Sequence, residues 1–196
     1  MLGQALPCSV TVAGETCPID TDWRIGVQME TLLLDESVDE EQKSLLVLNL
    51  YFPDFSRRPG FYLFHLEEAL EACYRFYQGG QPPQERSQSR KRVYDFEQDE
   101  GLLAAAFLAD YGIDLTAPDL KLHWHRFLAL FSGLREEDTI SRIMSIRAAD
   151  TGKMKGEERD WYTRMQRKYA IRQKEDPLQA KVEEALLSGG DLSGIL

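Results

Sequence analysis

The sequence predicts a mainly α-helical fold: one multi-helix domain with a small N-terminal β-hairpin. Apolar residues recur every three or four positions through most of the chain, which is the helical period. Strand-like alternation of polar and apolar residues is confined to 8–19. The 196 residues are enough for one well-cored domain, which we place at 1–187, with a disordered tail at 188–196.

The predicted hairpin at 8–19 starts the chain. Val10 and Val12 alternate with polar residues, and the Ala13–Gly14 pair offers a turn between two short strands. Cys8 and Cys17 could then face each other across the hairpin. We expect both to be thiols, because disulfides are rare in a reducing cytosol.

An acidic helical part is predicted at 20–77. Its first helix covers 23–34, after the capping sequence Asp-Thr-Asp. Its second helix covers about 39–52, and its third begins at Leu66 after an irregular connector. The second helix is expected to be buried on more than one side because of five apolar residues, Leu45, Leu46, Leu48, Leu50 and Phe52.

A mobile linker is predicted at 78–92, where glycines, prolines and polar or basic residues follow one another without an apolar anchor. A central helical hairpin follows at 93–134. Its first helix ends at Gly112, and its second is predicted to begin with Thr116 as N-cap and Pro118 in the first turn. The core of this hairpin is predicted to contain Phe107, Trp124, Phe127, Leu128 and Phe131.

A basic helical part is predicted at 135–174, and its last helix, from about Glu157 to Ile171, interleaves aromatic and basic residues. This pattern has three interpretations: a core stripe with solvated bases, a surface for an acidic protein partner, or a nucleic-acid surface. The candidate partner-binding residues are Trp161, Tyr162, Arg164, Arg167 and Tyr169.

The sequence offers no recognisable catalytic or metal-binding motif. His123 and His125 flank Trp124, but on a helix their side chains would point about 200° apart, so we expect solvated or rim histidines and no shared ion. Paired carboxylates such as Glu67 and Glu71 are expected on solvated helix faces. We therefore expect no cofactor, no metal and no enzymatic activity.

The net charge and the distribution of apolar residues argue against several kinds of partner and cellular location. A net charge of −10 counts against nonspecific binding of nucleic acid or of anionic membranes. No apolar run approaches the roughly 20 residues that span a bilayer. The N-terminus lacks the basic region and the long apolar core of a signal peptide, so we expect a cytosolic protein.

Several motifs together carry a resemblance to a known family. They are IDTDWR at 19–24, KRVYDFEQD at 91–99, HWHRFLALFSGL at 123–134, SRIMSIRAAD at 141–150 and RDWYTRMQRKYAI at 159–171. In this order, they resemble the bacteriophage gene-product-15 family, which is encoded in the tail-morphogenesis cluster of long-tailed phages and prophages of Gram-positive bacteria. The family has no established catalytic residues, so none is carried over.

The resemblance implies a chaperone-like phage tail assembly factor. Such a factor would bind the tape measure protein and/or the major tail protein in the host bacterial cytoplasm, and would be absent from the mature virion. Another tail assembly chaperone is a further candidate partner, and a homo-oligomer is left open. The alternatives are a structural virion component, such as a tail completion or connector subunit, and a small helical DNA-binding regulator that would use the basic helix at 159–172.

Overall fold

The computed structural model describes residues 5–80 and 91–172. Within these residues the fold is mainly helical with one two-stranded hairpin, which confirms the predicted fold class. None of the described helices combines the length and the apolar character needed to cross a membrane. The chain divides into two compact units, 1–148 and 149–196. Most of the predicted linker and the predicted tail lie outside the described residues.

The hairpin forms as predicted, from β1 (Ser9–Val12) and β2 (Glu15–Pro18). Ala13 and Gly14 form the turn. Both have positive φ (49° and 79°), as the two central residues of a type I′ hairpin turn require. The possibility that Cys8 and Cys17 face each other is not realised: Cys17 lies opposite Val10 and is buried, whereas Cys8 lies beyond β1 and is exposed. Both are free thiols, as expected.

Four helices follow the hairpin: α1 (Trp23–Leu34), α2 (Glu40–Tyr51), α3 (Pro59–Phe64) and α4 (Leu66–Tyr77). The first two begin where a side chain caps them, because the carboxylates of Asp22 and Asp39 accept from the backbone N–H groups of Arg24 and Gln42. The predicted connector before α4 is partly helical. Pro59 lies in the first turn of α3, where a missing N–H breaks no helical hydrogen bond.

The second helix is buried on one side only. Val47, Leu48 and Tyr51 are fully buried. Leu45 and Leu46, which we expected in the core, are 41% and 43% exposed. The prediction failed because a high density of leucine does not by itself say how many neighbours a helix has; α2 packs against α1 and α4 and leaves its remaining side to solvent.

The remaining helices of this unit are α5 (Glu100–Tyr111), α6 (Trp124–Ser132) and α7 (Thr139–Ala148). Gly112 ends α5 in the left-handed conformation, with φ 66°. The second helix of the central hairpin begins at Trp124 and not near Pro118, which corrects our prediction. Thr116 is not its N-cap; its N–H and hydroxyl both donate to the carboxylate of Asp114 instead.

Tertiary hydrogen bonds explain why the segment before α6 is not helical. The N–H of Trp23 donates to the Leu122 carbonyl (3.0 Å), and the N–H of Trp124 donates to the Thr21 carbonyl (2.7 Å). The Arg24 guanidinium also donates to carbonyls in this segment, those of Ala117 (2.9 Å) and Leu120 (3.0 Å). These bonds to the start of α1 replace the helical bonds that the local sequence favours.

The core is aromatic and centres on Phe127. Its ring stacks against those of Trp124, Phe107 and Trp23, with centroids 5.4, 5.2 and 5.1 Å away. Of the five predicted core residues, Phe107, Trp124 and Phe127 are fully buried, and Leu128 and Phe131 are half-buried against them. The predicted core therefore lies where we expected it, with Leu128 and Phe131 at its rim.

The half-buried carboxylate of Glu30 binds the chain on both sides of the segment at 81–90. The hydroxyls of Tyr77 and Tyr94 both donate to Oε2 of Glu30, at 2.8 and 3.2 Å. Tyr77 lies before this segment and Tyr94 after it, so both flanks are held against α1. Burial raises the pKa of the Glu30 carboxyl, and the two hydroxyls, which favour the carboxylate, offset only part of that effect.

This raised pKa predicts a pH-dependent stability. A group whose pKa is higher in the folded chain stabilises it at low pH, and loses that contribution as the pH rises through the raised value. We therefore expect Glu30→Gln to raise the melting temperature relative to the native chain by more at about pH 7.5 than at about pH 4. The control is Glu36→Gln on the exposed connector after α1. Equal differences at both pH values for Glu30→Gln would contradict the prediction.

Candidate partner-binding surface

In its described residues, 149–172, the second unit contains one long helix, α8 (Gly156–Lys168), after a 3₁₀ turn at Thr151–Lys153. The amide of Gln166 donates to the carbonyl of Ala149 at 2.8 Å, which ties the helix to the start of the unit. The helix is shorter than predicted: it ends at Lys168, and the N–H of Tyr169 closes it on the carbonyls of Arg167 and Met165. None of its residues is buried.

The structure places all five predicted partner-binding residues on or directly after α8. Trp161 is 42% exposed, and its ring meets that of Tyr162 edge to face at 4.9 Å. Arg164 and Arg167 are exposed. Tyr169 is half-buried and lies 5.2 Å from the Lys168 ammonium, within the range of a cation–π contact.

Helix geometry sorts these residues into an aromatic face and a charged edge. With about 100° between successive residues, Trp161, Met165, Tyr169 and Tyr162 fall within about 100° of one another. We call this the α8 aromatic face. Arg164 and Arg167 lie on one side of this face, about 60° and 120° around the helix from Trp161. None of the aromatic-face residues is buried, so a partner could cover this face.

The charges of α8 are ordered along its axis. Its first turn carries Glu157 and Glu158, and its last turn carries Arg167 and Lys168. Charges in this order are stabilised by the helix dipole. Among the described residues, Arg164 and Arg167 have no salt-bridge partner. Their guanidinium groups are therefore available to carboxylates of another molecule.

His123 and His125 have structural roles in the first unit. His123 is the N-cap of α6, and its Nδ1 accepts from the N–H of His125 at 3.0 Å. The Nε2 atoms hydrogen-bond to backbone carbonyls, His123 to Pro7 (2.9 Å) and His125 to Phe76 (2.7 Å). The rings lie 5.1 Å apart, so the expected opposite orientation is wrong; His123 precedes the helix and does not follow helical spacing. Both side chains are half-buried. Burial lowers the pKa of His125, which favours the neutral ring.

Comparison with known families decides the relationship. A family model described as Bacteriophage Gp15 protein matches residues 2–171. This chain belongs to the bacteriophage Gp15 family. Membership makes it a phage-associated structural or morphogenesis protein. Comparisons with curated proteins and with solved structures gave no match. In the part of the chain that the structure describes, no group of three or more His, Cys, Asp or Glu side chains could hold a metal ion.

The motifs that mark this Gp15-family chain have structural roles in the first unit. In VYDFEQD, the Asp95 carboxylate accepts from the N–H groups of Glu97 and Gln98, both at 2.8 Å. Asp99, 3% exposed, pairs with Arg147 from the SRIMSIRAAD motif through two hydrogen bonds of 2.5 and 3.0 Å. The same guanidinium donates to the Val93 carbonyl at 3.0 Å. Two motifs 48 residues apart thus meet in one buried ion pair.

The sequence analysis did not predict the ion pair between Asp99 and Arg147, although the position of Arg147 in the sequence indicated that it would be buried. Arg147 follows Ile140, Ile143 and Met144 at i+7, i+4 and i+3, so it continues the apolar stripe of α7. A charged residue in that position must be buried with a partner or reach around the helix. The identity of the partner, Asp99, could not be inferred from spacing.

Proposed function

We propose that this Gp15-family chain is a non-catalytic, chaperone-like tail assembly factor. It binds the phage tape measure protein and/or the major tail protein in the host cytoplasm, and is absent from the mature virion. The single observation that supports this most is that α8 has no buried residue and exposes Trp161 beside arginines without a salt bridge. Aromatic and arginine side chains are the commonest hot spots of protein interfaces.

The proposed mechanism is capture of a partner helix. The α8 aromatic face covers an apolar strip on a helix of the tail protein, which would otherwise expose that strip to water. Arg164 and Arg167, on the side of the helix beyond Trp161, pair through their long side chains with carboxylates of the same partner helix. Burial of the aromatic rings stabilises the complex, and the ion pairs select the register of the two helices.

The non-catalytic part of the proposal is supported by how the chain uses its titratable groups. His123 and His125 are engaged with backbone groups, and Asp99 with Arg147 and the N–H of Asp95. The Glu30 carboxylate accepts from two tyrosines. Each of these side chains stabilises a local turn or a tertiary contact, which accounts for its position without a substrate.

Charge reversal on α8 tests the proposal. We expect Arg164→Glu/Arg167→Glu to reduce co-purification of tail proteins by at least tenfold, because both replacements present carboxylates where the partner has carboxylates. The matched control is Arg126→Glu/Arg142→Glu, which changes the net charge equally at two exposed arginines of the first unit. The readout is affinity pull-down after co-expression with the tape measure and major tail proteins. Unchanged recovery with the α8 variant, or an equal loss with the control, would contradict the proposal.

A further inference from the structure

We infer that α8 is also the contact through which two copies of this chain pair, with the two helices antiparallel across a two-fold axis level with Tyr162. The inference shares its surface with the proposed function and deepens it: a second copy covers the α8 aromatic face when no tail protein does. The order of the charges of α8 and the exposure of its apolar residues both support this pairing.

Besides Lys168, which would lie opposite Gly156 of the second copy, four charged residues of α8 lie on one edge of the helix. With about 100° per residue, Glu157, Asp160, Arg164 and Arg167 fall within an arc of about 80°. Going along this edge, both carboxylates come before both guanidinium groups. We call these four residues the α8 charged edge.

The α8 charged edge is symmetric about Tyr162 in position and opposite in sign. Glu157 and Arg167 are each five residues from Tyr162, and Asp160 and Arg164 are each two residues from it. In an antiparallel pair related by a two-fold axis, the same edge of both helices meets itself in reverse. Each Glu157 then faces Arg167 of the second copy, and each Asp160 faces Arg164 of the second copy. In a parallel pair this edge would lie on opposite sides of the seam in the two copies, and these charge pairs would not form.

The apolar part of the contact fits the same axis. Trp161 lies one residue from the level of Tyr162, so the two indoles would be offset by only about 3 Å along the helices. Met165 continues the seam on either side. Specific protein interfaces commonly have aromatic rings at their centre and charged residues at their rim.

The helix dipole alone does not account for the charged edge. It acts within the first and last turns, which covers Glu157 and Arg167 but not Asp160 and Arg164 in the middle of α8. Asp160 and Arg164 are four residues apart, a spacing that allows an ion pair within one helix. Among the described residues neither forms a salt bridge, so both are available to a second copy.

A charge-swap experiment tests the pairing in the full chain. Sedimentation velocity at physiological salt, from low to several hundred micromolar, is expected to show a dimer that grows with concentration. Glu157→Lys/Asp160→Lys alone and Arg164→Glu/Arg167→Glu alone are expected to be monomeric, because each now repels itself. An equimolar mixture of the two variants is expected to recover the dimer. A monomeric native chain, or dimers of either variant alone, would overturn the inference.

Cysteine cross-linking tests the orientation, on a Cys8→Ser background because Cys17 and Cys73 are buried. With a short bismaleimide, Glu157→Cys alone is expected to give no cross-linked dimer. A mixture of Glu157→Cys and Arg167→Cys chains is expected to give one. Cross-linking of Glu157→Cys to itself would contradict an antiparallel pair with its axis level with Tyr162 and overturn the inference.

The experiments distinguish failure of the self-pairing from failure of the assembly role. If the native chain is monomeric and still co-purifies with tail proteins, the self-pairing is wrong and the assembly role stands. If the native chain dimerises and the charge-swapped mixture recovers the dimer, but no tail protein co-purifies, the self-pairing stands and the assembly role is wrong.

Discussion

Replacing Arg147 by methionine is expected to lower the free energy of unfolding by about 3–5 kcal/mol, the cost of removing one partner from a buried ion pair. The side chains of Arg147 and Asp99 are only 7% and 4% exposed. Without the guanidinium, the Asp99 carboxylate keeps its hydrogen bond from the N–H of Asp95 (3.0 Å) but loses both bonds to Arg147. Urea denaturation followed by tryptophan fluorescence measures the loss.

The matched control for this prediction lies on the same helix. Arg142 is exposed, so Arg142→Met is expected to change the free energy of unfolding by no more than about 0.5 kcal/mol. Adding Asp99→Asn to Arg147→Met removes the unpaired charge, and the double variant is expected to be more stable than Arg147→Met alone. A loss below about 1 kcal/mol for Arg147→Met would show that the ion pair does not hold α7 against the VYDFEQD segment.

Gly26→Ala is expected to destabilise the chain by about 3 kcal/mol, at the upper end of what overpacking costs. A Cβ at Gly26 would lie 2.2 Å from two ring atoms of Trp124. The indole cannot move away easily. It is fully buried, it stacks on Tyr77 at 5.4 Å, and its Nε1–H donates to the Tyr77 carbonyl at 2.7 Å.

Gly101→Ala is the control for the effect of glycine itself. Gly101 lies in the first turn of α5, is exposed, and has nothing within 4 Å of an added Cβ. There alanine is expected to stabilise the chain by about 0.5–1 kcal/mol, because it restricts the unfolded chain. Thermal unfolding of both variants gives the comparison, and a stability equal to the native chain's for Gly26→Ala would contradict the close approach of α1 to Trp124.

Parts of the fold that are determined locally could be predicted from the sequence. The start of α1 follows from Asp22, whose side chain caps it, and the end of α5 follows from Gly112. The start of α6 could not be predicted in this way. Thr116 and Pro118 form a good local helix start, but bonds to the beginning of α1 hold that segment in another conformation. Local preference was overridden by tertiary contacts.

The candidate surface shows the same division. The spacing of Trp161 and Met165 predicted a helical stripe, and the residues of that stripe do share one face of α8. Its exposure could not be predicted, because the same spacing is typical of a core stripe. Leu45 and Leu46 show the opposite case. Their apolar side chains favour burial in a core, but no other described helix covers them, and they are partly exposed.

The most direct test of the assembly role is co-expression of this chain with the tape measure protein, followed by measurement of the soluble fraction. The proposed function predicts that the tape measure protein precipitates when expressed alone and is recovered in a soluble complex with the native chain. It also predicts that the Arg164→Glu/Arg167→Glu variant fails to give this recovery, whereas Arg126→Glu/Arg142→Glu succeeds. A tape measure protein that is equally soluble with and without this chain, and the same result for the major tail protein, would contradict the account.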